Sequence, residues 1–283
     1  MKNLRLLMPQ WQGGNNKNYY LGAQILAFLA PKAKDAFEIQ VPIDTDNDNL
    51  KVNNKVVAQD ILLKQLDQTT DIINKYKPDH IVTLGGDCLV SQAPFAYLNK
   101  RYNNKLGVLF LDAHPDISNP NMFEHEHAMV LANLLGIGDP KFSNLVEQKL
   151  DSKLVLYAGL EEMTTEEKEI VTKHDLKIVT TKELVNNSDI ILNWIKEKNI
   201  EHLAIHFDLD VIDPLSFRSL LFANPNNEVI EAAKGTMSFN TASRILTDVS
   251  NNVEVVGLTI AEHLPWDDIN LHDFLSNIPI LKE

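Results

Sequence analysis

The 283-residue chain is 44% hydrophobic and carries 26 basic against 39 acidic side chains, a net charge of −13. That negative excess speaks against a nucleic-acid or anionic-membrane partner, since both require a basic footprint. A single cysteine rules out an internal disulfide, the opening MKNLRLLMPQWQGG is too short in apolar length for a signal peptide, and no apolar run reaches transmembrane length; the expected setting is soluble and cytoplasmic.

Short apolar runs alternate with longer runs of helical period. LRLLM (4–8) predicts a strand, YLGAQILAFLA (20–30) a helix and FEIQVPI (37–43) a second strand. Across 56–77, Leu62, Leu66, Ile73 and Tyr76 recur at helical spacing between charges. HIVTL (80–84) predicts a strand, LVSQAPFAYLNKRY (89–102) a helix, LGVLFL (106–111) a strand and HAMVLANLLG (127–136) a helix. LVLYAGL (154–160) predicts a strand, and TTEEKEIVTKH (164–174) a helix opened by a capping box of Thr164 and Glu167. Then come strand LKIVTT (176–181), helix SDIILNWIKEKN (188–199), strand HLAIHF (202–207), helix TMSFNTASRILTDVS (236–250) and strand VEVVGLTI (253–260).

The predicted strands are apolar throughout, the pattern of strands covered on both faces. Strand–helix alternation implies parallel crossovers, hence one α/β sheet with helices on both sides. No composition break, linker or repeat divides the chain, so a single domain over 1–283 is expected. The stretches 115–127 and 214–235 are long loops, a length often tied to function.

In an open parallel sheet, ligands sit beyond the carboxyl ends of the strands. Asp112, His114 and Asp116 follow LGVLFL; Asp208, Asp210 and Asp213 follow HLAIHF; Glu262 follows GLTI; Asp87 and Cys88 follow IVTL. In extended chain, residues two apart face one side, which pairs Asp112 with His114 and Asp208 with Asp210. Carboxylates brought that close raise one another's pKa, and a cation relieves the repulsion. Hard oxygens plus an imidazole suit Mn²⁺, Mg²⁺, Fe²⁺ or Zn²⁺, and the ligand count suggests two ions sharing carboxylates. Taken singly, each motif also reads as a helix cap or a solvated loop; the coincidence of both pairs at one sheet edge favours the metal site. DLDVIDP superficially resembles the D-x-D of haloacid-dehalogenase-like phosphatases, but it lies late in the chain and leaves DAHPD without a role.

At these residues the sequence resembles the ureohydrolase superfamily of arginases, agmatinases and formiminoglutamases. GGDC (85–88) is similar to its GGDH, LDAHPDI to its DAHxD, FDLDVIDP to its DxDxxDP, and GLTIAEHLP to the strand bearing its substrate-binding glutamate. The resemblance implies a three-layer α/β/α fold around a mostly parallel sheet of about eight strands, assembled as trimers or hexamers. It implies a metal-dependent hydrolase that cleaves a C–N bond of a guanidino or amidino compound by metal-bound hydroxide. One ion would take Asp112, His114, Asp208 and Asp210; the other would take Asp112, Asp116, Asp208 and residue 88. By the same resemblance Glu262 binds the guanidinium and His127 shuttles the proton. Mn²⁺ is the expected metal, with Zn²⁺ or Fe²⁺ if Cys88 ligates.

Two departures stand out. Cys88 replaces the family histidine, and three roles are open: a thiolate ligand, a weakened or lost second metal position, or an empty site in a non-catalytic binding or regulatory relative. Its bland role is a small buried hydrophobe. The head-group loop reads ISNPNMFEHE, with Ser118, Asn119 and Asn121 as hydrogen-bonding candidates and Ala128 where a glycine is usual. Asn119 is the residue expected to touch substrate. The arginase pattern does not carry over residue by residue, which speaks against arginine; agmatine, formiminoglutamate, guanidinobutyrate and other guanidino or amidino compounds stay open, and Glu124 and Glu126 would favour a cationic tail if they face the pocket. Among the remaining residues, His125 is expected in solvent and Asp213 in a turn. Asp87 is expected to brace the glycine turn. Trp11 is expected either to floor the pocket or to pack. His206 is expected to face away from Asp208, inside the sheet.

Overall fold

LGVLFL is buried at every position: Val108 and Phe110 enter one apolar core, while Leu109 and Leu111 enter another. A strand that feeds two cores must be covered on both faces. Burial of side chains this size stabilises the fold by roughly 1.5–3 kcal/mol each. The computed structural model describes residues 1–45, 50–226 and 230–282.

Eight parallel strands form the sheet: β1 (Asn3–Met8), β2 (Ala36–Gln40), β3 (His80–Gly85), β4 (Leu106–Leu111), β5 (Val155–Ala158), β6 (Lys177–Val179), β7 (His202–Asp208) and β8 (Glu254–Ala261). Their spatial order is β2-β1-β3-β8-β7-β4-β5-β6, so the last strand in sequence lies between β3 and β7. Helices 59–76, 92–101 and 130–135 cover one face through Leu62, Ile73, Phe95, Leu98 and Leu131. Helices 189–197 and 239–252 cover the other through Ile191, Trp194, Ile245 and Val249. The result is the expected three-layer α/β/α arrangement.

Several expected elements differ in detail. The strand read at FEIQVPI ends at Gln40 and is half exposed, because β2 is a sheet edge with one neighbour only. β1 alternates between buried and half-buried positions, unlike the central strands. The helix expected from residue 89 begins as a 3₁₀ turn, Cys88–Ser91, and becomes α-helical at Gln92–Arg101. Pro94 fits there because the first helical turn leaves its N–H groups unbonded in any case. HAMVLANLLG is likewise a 3₁₀ turn, Glu126–Met129, followed by helix Val130–Leu135, which stops at Gly136 with φ +82°. The helix read from Thr236 starts at Phe239, where Ser238 Oγ accepts the Thr241 N–H at 3.1 Å. The capping box of Thr164 and Glu167 forms as expected. The helix Trp266–Ser276 was not anticipated; its Leu271, Phe274 and Leu275 are exposed, so it lacks a clear apolar stripe. Of the loop 214–235, residues 227–229 lie outside the described residues. Among the described residues, no helix is long and apolar enough to cross a membrane.

Candidate active site

Because all eight strands run one way, the segments after β3, β4, β7 and β8 collect at one sheet edge. Their side chains converge, but not by the pleat expected from the sequence. Asp208 ends β7, and Leu209–Val211 form a 3₁₀ turn. Asp208 Oδ1 accepts the Asp210 N–H at 2.7 Å, and Asp112 Oδ1 accepts the His114 N–H at 2.7 Å. Each aspartate thus folds its own turn with one carboxylate oxygen and presents the other to the site.

His114 Nδ1 lies 3.0 Å from Asp210 Oδ2. The Cys88 thiol donates to Asp208 Oδ2 at 2.8 Å, and its sulfur is 3.7 Å from Glu262 Oε1. Asp116 is buried with φ +47°, a left-handed conformation that aspartate tolerates; its carbonyl accepts the N–H groups of Leu131 and Ala132, which ties the loop to helix 130–135. His206 corrects an expectation. It lies two positions before Asp208, one full strand repeat, so both face the same side, and its Nε2 stands 3.5 Å from Asp112 Oδ2.

Protein groups alone leave this cluster electrostatically crowded. Burial, reinforced by neighbouring carboxylates, raises the pKa values of Asp112, Asp116 and Asp208. Burial and then Asp210 push Glu262 up to about 8. Burial and then Asp208 raise the Cys88 thiol. For His114, burial opposes protonation, but Asp210, Asp112 and Asp116 outweigh it and hold the imidazole pKa well above its usual range. Asp112 Oδ2, His114 Nε2, Asp116 Oδ2, His206 Nε2 and Asp210 Oδ1 are buried without a hydrogen-bond partner. Orphaned groups of this kind cost about 1–3 kcal/mol each. A divalent cation would satisfy them and compensate the charge, so the donor set fits a metal. In each of three sets of residues, one candidate ligand atom per residue lies within 4.8 Å of the others in that set: Cys88, Asp112, His206 and Asp208; Asp112, His114 and Asp210; and Asp208, Asp210 and Glu262.

The cluster floors a cavity of about 1090 Å³. Tyr19, absent from the expected set, lines it and donates its hydroxyl to Glu262 Oε2 at 2.6 Å. Glu262 itself has φ +64°, and its N–H is held by the Gly86 carbonyl at 2.7 Å. His127 lines the cavity, with Nδ1 2.9 Å from the Gly13 carbonyl. A carbonyl only accepts, so Nδ1 carries the proton and Nε2 is the free nitrogen of the neutral ring. Asp87 accepts the N–H groups of Gly14 and Leu89 at 3.2 Å each. It packs so close to Gly13 that a Cβ there would meet its carboxylate at 2.7 Å.

Other expected residues fall elsewhere. Asn119 does not line the cavity; its amide contacts Met122 and its oxygen accepts the Asn121 N–H, so it braces its own loop. Ser118 and Asn121 do line it, engaged with Glu167 and Lys55 respectively. Glu126 is fully buried against Asn133, and Glu124 is outside the wall. His125 is half-buried in the wall, edge-on to Phe123, rather than in solvent. Asp213 forms a turn with the Leu215 N–H, and Trp11 packs with Tyr19, Leu264 and Ile269 instead of flooring the pocket. Glu162, Glu166 and Glu167, from the loop and helix after β5, add unanticipated acid to the wall. They follow a strand at the same edge, so the rule that located the metal-type residues would have found them.

A family model described as "Arginase family" matches residues 29–271. The chain belongs to the arginase family. It is 24% identical over 213 residues to an arginase of Staphylococcus aureus (strain MRSA252), covering 67% of this chain and 68% of the relative. Its fold is similar to that of Entamoeba histolytica arginase in complex with L-ornithine, with a TM-score of 0.80, 19% identity and coverage of 93% and 92% of the two chains. Arginase from Bacillus caldovelox gives a TM-score of 0.79 at 17% identity, covering 93% and 91%.

Proposed function

We propose that the chain is a metal-dependent hydrolase that cleaves a C–N bond of a guanidino or amidino compound whose tail is cationic or neutral. The observation that carries this reading is the composition of the cavity: a buried acidic floor with unpartnered ligand atoms, and no Lys or Arg among the described residues that line it. Lys55 holds the Asn121 side chain at 2.8 Å but is not itself part of the wall. Glu162, Glu166, Glu167 and Glu231 also line the cavity. An anionic tail, as in guanidinobutyrate or an N-substituted glutamate, finds no counter-charge there and meets like charge instead, whereas the zwitterionic head of arginine is net neutral.

Asp112 and Asp208 would be shared between two ions, His114 and Asp210 completing one ligand set, Cys88 and Asp116 the other. When bound, such an ion supplies a water nucleophile at neutral pH by lowering its pKa. Glu262, steadied by Tyr19, accepts N–H bonds from the guanidinium and holds its carbon over the floor. His127, anchored through Nδ1, takes a proton at Nε2 and delivers it to the departing amine nitrogen. Burial lowers the His127 pKa, which eases that transfer. Mn²⁺ suits the oxygen and imidazole donors, and assembly as a cytoplasmic homo-oligomer belongs to the same reading. A second reading, a non-catalytic binding relative, is favoured by the Cys88 thiol, whose proton occupies an Asp208 oxygen.

The test is release of urea, ammonia or formamide from a panel of guanidino compounds with cationic, neutral and anionic tails, using protein loaded with Mn²⁺, Zn²⁺ or Fe²⁺. Turnover that prefers cationic or neutral tails is expected. Preference for anionic tails would defeat the substrate assignment, and metal uptake without any turnover would favour the binding reading.

A further inference from the structure

His206 is the one group of the acidic floor to which the hydrolytic reading assigns no role. Its ring is fully buried, Nδ1 is 2.7 Å from Ser91 Oγ, and its face lies on Phe110 with ring centroids 4.4 Å apart. Nε2 has no hydrogen-bond partner, nor does Asp112 Oδ2, 3.5 Å away. One atom each from Cys88, Asp112, His206 and Asp208 falls within 4.8 Å of the others. A four-coordinate ion with bonds of about 2.0–2.3 Å to nitrogen, oxygen and sulfur sets its ligands roughly 3.3–3.8 Å apart. The four residues are therefore already near the spacing such an ion imposes.

An imidazole fully buried in a central strand is costly unless both ring nitrogens find a partner. Its surroundings match those of a ligating histidine. Such a ring donates its outer N–H to a neighbouring polar group, which fixes the tautomer and aims the other nitrogen at the metal; Ser91 is placed to be that group. The geometry points to a second ligand histidine that offsets the one missing at position 88: Cys88, His206, Asp112 and Asp208, with His206 taking the place the hydrolytic reading gives to Asp116, form a mixed sulfur–nitrogen–oxygen site that takes Zn²⁺ or Fe²⁺ in preference to Mn²⁺. This rests on the reading of the acidic floor as a metal centre. Thiolate is a soft ligand and disfavours Mn²⁺, while the Irving–Williams order already places Zn²⁺ and Fe²⁺ above it. The thiol proton now shared with Asp208 leaves to solvent when the metal binds. The His114 and Asp210 half contains no sulfur and stays compatible with Mn²⁺, so the two halves of the centre select different metals.

The test uses full-length protein stripped with a chelator and reloaded with Co²⁺, Zn²⁺ or Mn²⁺. Co²⁺ is expected to give a thiolate-to-metal charge-transfer absorption, and Zn-edge X-ray absorption a sulfur at about 2.3 Å. Both are read on wild type and do not depend on any variant folding. Cys88→Ser is expected to abolish the charge-transfer band. His206→Gln, whose amide can still meet Ser91, is expected to keep that band, shift the Co²⁺ ligand-field bands and weaken Zn²⁺ binding at least about tenfold. Metal binding without sulfur ligation would overturn the site and leave the hydrolase reading standing. Failure to bind any of the three metals would overturn both. Unchanged Zn²⁺ affinity and Co²⁺ spectrum in His206→Gln would reduce His206 to a packing residue and overturn the four-residue site.

Discussion

The Tyr19 hydroxyl meets Glu262 Oε2 at 2.6 Å across 243 residues of chain. One carboxylate oxygen is thereby fixed, and the other, Oε1, lies 3.7 Å from the Cys88 sulfur. Tyr19→Phe removes the hydrogen bond and keeps the ring packed. A hydrogen bond to a charged group contributes about 1.5–3 kcal/mol, so kcat/KM is expected to fall roughly tenfold to a hundredfold, and thermal stability to fall as well because a buried oxygen loses its donor. Unchanged kinetics would show that Tyr19 does not position Glu262.

Glu126 supplies a pH signature from outside the proposed ligand set. Burial raises its pKa to about 8, and Asn133 only partly offsets that. The folded state then holds a proton that the unfolded state releases near pH 4.5. The contribution to stability is full below the unfolded value and is lost as pH rises towards and through about 8. Glu126→Gln is expected to be neutral near pH 4 and stabilising near pH 8.5, measured as the difference in urea midpoint from wild type. Parallel pH curves for the two proteins would contradict it.

Chelation tests the fit between the acidic cluster and a cation. A ligand present at about a hundred times its Kd stabilises the native state by about 2.7 kcal/mol. EDTA is therefore expected to lower the melting temperature of metal-loaded wild type. Asp208→Asn removes one buried carboxylate whose pKa is raised by burial and by Asp210. It is expected to match or exceed wild type without metal and to gain nothing when metal is added. Equal metal-induced shifts in both proteins would remove Asp208 from the ligand set.

Gly86 offers a steric test. A Cβ at this residue would stand 1.7 Å from the Gln10 carbonyl oxygen, so the backbone must move. The Gly86 carbonyl also holds the Glu262 N–H. Gly86→Ala is expected to destabilise the fold by several kcal/mol, in the range typical of overpacked sites (about 1–3 kcal/mol, occasionally more), and to lower substrate affinity in any protein that folds. A variant with wild-type melting and kinetics would show that the turn relaxes freely.

The sheet was legible because its central strands are buried on both faces, and such strands read as unbroken apolar runs. The strand ends then located Asp112, His114, Asp208, Asp210, Glu262 and Cys88 together. What the sequence concealed was local geometry. The two aspartate pairs converge through side-chain turns, which extended-chain reasoning does not anticipate. His206 was assigned to the wrong face although strand parity places it with Asp208. Tyr19 sits in an apolar helical run, and nothing near it in sequence signals its partner. Asn119 and Glu126 looked polar enough to bind substrate, but one braces a loop and the other packs against Asn133.

The place of β8 between β3 and β7 has a consequence for synthesis. Cys88 leaves the ribosome early with one part of the sheet, and Asp112 and Asp208 emerge later with another. The strand that joins them comes later in the chain than either, and Glu262 follows its final residue. In a growing chain the adjacent strands β4 and β7 can therefore bring Asp112, His114, Asp208 and Asp210 together before β8 adds Glu262 and joins the Cys88 side of the sheet to them.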